Sequence, residues 1–146
     1  MITEIKNGSQ LLAIILSRDF NQPGIHFLTP NHFSQQLAYM RHPAGKTIAP
    51  HVHNPVPRTV EYTVEVLFLK RGKLRVDFYD EAQNYLESRI LQTGDVLLLS
   101  TGGHGFEALE EIEMLEVKQG PYAGELDKTR FAGISAAQIT IQENSR

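Results

Sequence analysis

The sequence predicts an all-β fold, a single small sandwich or barrel. Three observations carry this expectation. Apolar residues recur at every second position or in short runs, which is the period of strands. Turn-forming groups such as Pro43-Ala44-Gly45, Arg71-Gly72 and Thr93-Gly94-Asp95 interrupt these runs, with turns falling about every ten residues. Nothing in the chain offers the long 3.6-residue periodicity that an α/β fold needs.

The elements follow in chain order. Leu11–Ser17 reads as a buried strand, and Gln35–Arg41 as another, ended by Pro43-Ala44-Gly45. Thr59–Leu69 reads as one long strand. Val60, Tyr62, Val64, Val66 and Phe68 share one face, and Glu61, Thr63, Glu65, Leu67 and Leu69 share the other. Arg71-Gly72 reads as a hairpin turn, with Leu74, Val76 and Phe78 as the apolar face of the return strand. Asp80–Asn84 is a polar loop and Tyr85–Leu91 a strand. Thr93-Gly94-Asp95 is a tight turn before the buried strand Val96–Leu99. Phe106–Leu109 and Ile112–Val117 flank Glu110-Glu111 as a last hairpin, and Gly120-Pro121-Tyr122 breaks the pattern. Glu125–Phe131 suits a helical turn, and Gln138–Gln142 a terminal strand.

Composition bounds the class. The chain has 146 residues, 41% hydrophobic and 21% charged, with a net charge of −3. That is the size of one domain able to bury its own core. The expected domain spans 1–146, with N-terminal strands over 1–34, a core over about 35–118 and a C-terminal extension over 119–146. Cysteine is absent, so disulfides, thiolate metal sites and cysteine nucleophiles are excluded. A metal site must use imidazole and carboxylate. Lys70, Arg71, Lys73 and Arg75 read as a solvated hairpin end rather than a nucleic-acid patch, because Asp77, Asp80 and Glu81 follow them. Leu11–Leu16 is too short for a signal-peptide core or a membrane span. The expectation is a cytoplasmic protein with no nucleic-acid or membrane partner.

Chemistry concentrates on histidine. His26, His32 and His42 have no spacing logic and read as surface residues. His51 and His53 are spaced i, i+2, which on a strand places both rings on one face, where two imidazoles can meet one ion. Five residues separate Gly45 from His51, and six separate Glu65 from Gly72. Gly94-Asp-Val-Leu-Leu-Leu-Ser-Thr-Gly102-Gly-His104 then brings a third histidine just after a buried strand.

Here residues 37–118 resemble the cupin superfamily, whose motifs are G-x5-H-x-H, a short gap, E-x6-G, and later G-x5-P-x-G-x2-H-x3-N. The chain departs from them in four ways. Eleven residues lie between His53 and Glu65, Ser100 stands in place of proline, His104 comes one residue early, and Ala108 stands where asparagine is expected. The resemblance implies a single cupin-type double-stranded β-helix, a jelly-roll barrel with short terminal extensions. It implies one divalent metal ion (Fe, Mn, Ni or Zn) on His51, His53, Glu65 and His104. Glu61, on the same predicted strand face, is the alternative carboxylate.

Three imidazoles and a carboxylate leave positions open for water or substrate. The leading expectation is a metal-dependent isomerase or epimerase acting on a small polar metabolite, a sugar or nucleotide sugar, of the kind found among bacterial members of the family. In it Glu65 or Glu61 moves a proton. The alternatives are an iron-dependent oxygenase and a non-catalytic protein that binds or senses a small ligand. Arg58 is the first candidate for substrate contact, since a guanidinium clamps phosphate or carboxylate. Tyr39, Arg41, Tyr62 and Phe106 are the others. Pro55 and Pro57 stiffen the long gap into a flap or bulge beside the expected mouth. Exposed edge strands, with Ile2–Ile5 and Gln138–Gln142 available to cover them across a two-fold axis, point to a homodimer.

Overall fold

The computed structural model describes residues 1–145. The chain divides into two compact units. One comprises Met1–Phe20 and the chain from Tyr62 onward; the other is Asn21–Glu61. Both are all-β.

The first unit contains β1 (Ile2–Asn7), β2 (Gln10–Leu16), β5 (Glu65–Arg71), β6 (Lys73–Tyr79), β7 (Tyr85–Gln92), β8 (Val96–Leu99), β9 (Gly103–Ala108), β10 (Glu113–Lys118) and the short β11 (Ile141–Gln142). They form a five-stranded sheet, β1-β2-β8-β5-β10, and a four-stranded sheet, β11-β7-β6-β9. Hydrogen bonding leaves both sheets open rather than closed into a barrel. Pairing is antiparallel except for β11, which runs parallel to β7. One core unites the two sheets. Ala13, Ile15, Leu67, Leu69, Leu97 and Leu99 come from the first, and Leu74, Val76, Phe78 and Leu91 from the second. Each of these side chains other than Ala13 contributes about 1.5–3 kcal/mol by leaving water.

The alternation read from the sequence therefore holds on β5 and β6, but the connection between them does not. β5 pairs with β8 and β10, while β6 pairs with β7 and β9. Arg71-Gly72 is a corner between sheets, not a hairpin turn. Likewise β9 and β10, expected as a hairpin around Glu110-Glu111, lie in different sheets. The reason is burial. Leu67 and Leu69 on β5 and Leu74, Val76 and Phe78 on β6 all cover one another when the strands face across a core, whereas a hairpin would lay them side by side on one surface. The two corners nest together. At Gly72, φ is +88°, and a Cβ there would lie 2.1 Å from the Glu111 carbonyl oxygen. Lys73 O accepts hydrogen bonds from Leu109 N and Glu110 N.

The strand expected over Thr59–Leu69 begins only at Glu65. Its partners stop there: Leu99, the last residue of β8, and Lys118, the last of β10, both lie opposite Glu65. Residues 59–64 have no ladder to join, and Val60 and Tyr62 are exposed.

The C-terminal segment makes single turns of 3-10 helix at Gly124–Asp127 and Ala136–Gln138 before β11. Tyr79 and Tyr85 anchor it. The Tyr79 hydroxyl accepts from Ile134 N, the Tyr85 hydroxyl accepts from Thr140 N, and Ser88 N donates to Thr140 O. Both terminal pieces expected to cover edges do so within the chain: β1 on β2, and β11 on β7. The edge strands are β1 and β10 in the five-stranded sheet and β11 and β9 in the four-stranded one.

The second unit contains β3 (Gly24–Phe27) and β4 (Ala38–Arg41), paired antiparallel with His26 opposite Tyr39. Residues 42–61 form no strand. Among the described residues, no helix is long and apolar enough to cross a membrane.

Candidate functional site

Glu65 opens β5 and His104 is the second residue of β9, so they sit on different sheets of the first unit. The alternation of each strand sets their direction. Glu65 shares its face with the core residues Leu67 and Leu69; His104 lies opposite the buried Phe78. Both side chains therefore point between the sheets. Glu65 Oε2 lies 3.4 Å from His104 Nε2, and the two side chains are only 15% and 29% exposed.

Lys118, opposite Glu65 in the ladder, brings its Nζ to 4.0 Å from Glu65 Oε1. It also lies 5.9 Å from the centre of the Tyr122 ring. The Phe106 ring is 5.3 Å from the His104 ring, and Phe131 packs over Gly103, where a side chain would collide with it. The His104 imidazole holds the Glu65 carboxyl below the ordinary carboxylate range. Burial works the other way, and the positive charges of Lys118 and Lys128 reinforce the depression. Glu65 is thus an anionic acceptor at neutral pH.

His51 and His53 lie in the second unit. They are exposed and stand on no strand. Proline at 50, 55 and 57 removes the backbone donors that a ladder there would use. The rings nevertheless lie together, with centroids 5.2 Å apart and planes at 76°. His51 Nδ1 is 3.0 Å from Ala49 O. A carbonyl needs a donor, so the neutral ring carries its proton on Nδ1 and its lone pair on Nε2.

The other expected residues fall as follows. Glu61 belongs to the second unit and lies on no strand, so it does not share the face of Glu65. Arg58 is exposed, with its guanidinium on its own loop at Val56 O. Tyr39 and Arg41 lie on β4, where Arg41 donates to Asn21 O. Tyr62 is exposed just before β5. Phe106 stands beside His104 as described. His32 is exposed, but His42, read as a surface residue, is half-buried, and its Nε2 is enclosed without a hydrogen-bond partner.

The structure thus describes two ligand-type pairs, one in each unit. Among the described residues, no group of three or more His, Asp or Glu side chains is placed to hold an ion. Each pair offers two donors, a carboxylate with an imidazole or two imidazoles. At bond lengths of about 2.1 Å, neighbouring donors on one ion lie about 3.0–3.4 Å apart, which the Glu65–His104 separation matches. Lys118 was not singled out from the sequence. Its place opposite Glu65 depends on the β5–β10 register, which has no signature in the residues themselves. Comparison with family models, curated proteins and solved structures finds no match to this chain.

Proposed function

We propose that this protein is a metal-binding protein of the cupin type, a jelly roll that acts on a small polar metabolite as an isomerase or epimerase. The observation that carries the reading is the Glu65–His104 pair, an ionised carboxylate and an imidazole facing each other from two sheets at ligand spacing. Sheets joined by crossing corners over one core support the jelly-roll reading. The motif resemblance adds the imidazole pair His51 and His53 as a further set of metal-ligand chemistry in the second unit. The donor set of oxygen and imidazole suits Fe, Mn, Ni or Zn. Bound there, the metal would polarise adjacent oxygens of a substrate. The Glu65 carboxylate, anionic and half-enclosed, is the group able to take or return a proton at a neighbouring carbon.

The test is elemental analysis of the full chain purified without added metal, beside the variants His104→Ala and Glu65→Gln. The expected result is one equivalent of a transition metal in the parent, lost in both variants and retained in His32→Ala. Folded variants that keep full metal content refute the site. Wild-type protein that takes up no metal on titration refutes the metal reading altogether.

A further inference from the structure

We propose that residues 120–130 form a lid over the Glu65–His104 pair, hinged at Gly120 and latched by Phe131, and that the lid opens to admit a small ligand. The inference takes Glu65 and His104 as the site and needs no metal there. Strand ends set the geometry. Glu65 opposite Lys118 is the last rung of the β5–β10 ladder, and Tyr79 opposite Gly103 is the last rung of the β6–β9 ladder. The corners at Gly72 and Glu111 meet at the other end of these strands. Glu65 and His104 therefore stand at the end of the sandwich away from the corners. The chain leaves the first sheet at that end and joins the second sheet there. It departs after Lys118, where Gln119 Oε1 accepts from Val64 N, and Phe131 then reaches Tyr79 and Gly103. The residues between must cross from one sheet to the other beside the pair. Their neighbours mark the crossing: the centre of the Tyr122 ring lies 5.9 Å from Lys118 Nζ, and the charge of Lys128 reaches Glu65.

Little holds the crossing down. Tyr122 is 76% exposed and Leu126 93%, and no residue of the 3-10 turn Gly124–Asp127 is buried. Among the described residues, the hydrogen bonds of 120–130 stay within the segment, from Ala123 N to Asp127 Oδ2 and from Arg130 to Glu125. A stretch with few buried contacts and no hydrogen bonds to the sheets opens at low cost. Its two ends differ. A side chain at Gly120 would meet nothing within 4 Å, so the backbone there has room to turn. At the far end Phe131 is half-buried and stands edge-on to the Tyr79 ring, with centroids 5.0 Å apart and planes at 84°. Just beyond it, Ile134 N donates to the Tyr79 hydroxyl. Gly103 is the seat of the Phe131 ring. A Cβ there would lie 2.9 Å from Phe131 Cζ, so only glycine leaves the room. Gly103 directly precedes His104, so the latch closes on the strand that carries the imidazole. A lid of this kind encloses a bound ligand and keeps water from it.

The experiment is carbethoxylation of the full, metal-free chain by diethyl pyrocarbonate at a fixed neutral pH, with the rate at each histidine read by peptide mass spectrometry. The reagent must reach the ring, so His104 reports opening, and the exposed His32 is the internal reference. In the parent, His104 should react more slowly than His32. Phe131→Ala removes the latch, and Gly103→Ala displaces it from the opposite side. Each should raise the His104 rate about tenfold with the His32 rate unchanged. Leu126→Ala, on the exposed side of the lid, should change neither. Amide exchange over β5 and β8 should stay at the parent level throughout. If alanine at 131 loosens those strands as well, Gly103→Ala and Phe131→Leu, which keeps an apolar plug without the ring, carry the test. Unchanged His104 rates in the folded latch variants overturn the lid, as does a parent whose His104 reacts as fast as His32. Loosening of β5 and β8 in all three latch variants also overturns it, since Phe131 is then part of the core. A latch response in protein that takes up no metal leaves the lid standing and sinks the metal reading. Metal uptake with His104 rates unmoved does the reverse.

Discussion

Replacing Gly72 with alanine tests the corner that holds the two sheets together. The backbone there has φ of +88°, which costs an L-residue about 1–2 kcal/mol. The new Cβ would stand 2.1 Å from Glu111 O, where real contacts start at 3.0 Å, so one corner must retreat by about 0.9 Å. That retreat strains the hydrogen bonds around the Gly72 corner: Leu109 N and Glu110 N of the other corner to Lys73 O, and Thr93 Oγ1 of the β7–β8 turn to Gly72 O. Losing one or two of them adds about 1 kcal/mol each. The sum is about 2–4 kcal/mol, a fall in Tm of about 5–15 °C for a chain of this size. Gly8→Ala is the matched control, because Gly8 also has a positive φ, +59°, but nothing lies within 4 Å of its Cβ position. It should cost only the backbone share. The assay is urea denaturation followed by far-ultraviolet circular dichroism. If the two variants unfold within about 0.5 kcal/mol of each other, Gly72 does not meet Glu111, and β5 and β6 form the simple hairpin after all.

Three further outcomes follow from the same contacts. Phe78→Ala, at a side chain 1% exposed between the sheets, should lose about 3–5 kcal/mol in chemical denaturation; a loss below about 1 kcal/mol would show that the shared core is not packed as described. Tyr85→Phe removes the acceptor of Thr140 N and the partner of Ser88 Oγ. Amide exchange should quicken over residues 140–145 while the β5 and β8 amides stay protected, and uniform protection would refute the anchoring role. The depressed carboxyl of Glu65 stabilises the fold above the ordinary carboxylate range, and this contribution is lost as pH falls through the lowered value. In metal-free protein, urea midpoints measured from neutral pH downward should therefore fall less steeply for Glu65→Gln than for the parent. Parallel curves would show that His104 does not stabilise the ionised form.

Much of the fold was legible because burial leaves a local trace. Leu74, Val76 and Phe78 alternate in the residues and are buried in the structure, where Asp77 and Tyr79 are buried too, and Val96–Leu99 is apolar throughout because it is the middle strand of its sheet. Glu65 was legible for the same reason, since its parity with Leu67 and Leu69 places it on the core face. The false extension of that strand back to Thr59 shows the limit of the method. Alternation continues through Val60, Tyr62 and Val64, but a strand lasts only as long as its neighbours, and β8 and β10 both end opposite Glu65. His51 and His53 were legible as a pair from their spacing, though prolines keep them off a strand.

The sequence by itself determined the all-β class, the inward faces of the main strands and the residues with metal-ligand chemistry, because side-chain period and residue type are local properties. Only the tertiary structure decided which strands are neighbours. Arg71-Gly72 and Glu110-Glu111 are equally good turns for a hairpin or for a corner, and local geometry does not choose between them. The choice came from burying the apolar faces of β5 and β6 against each other across one core. That choice set His104 facing Glu65 and placed Lys118 beside them.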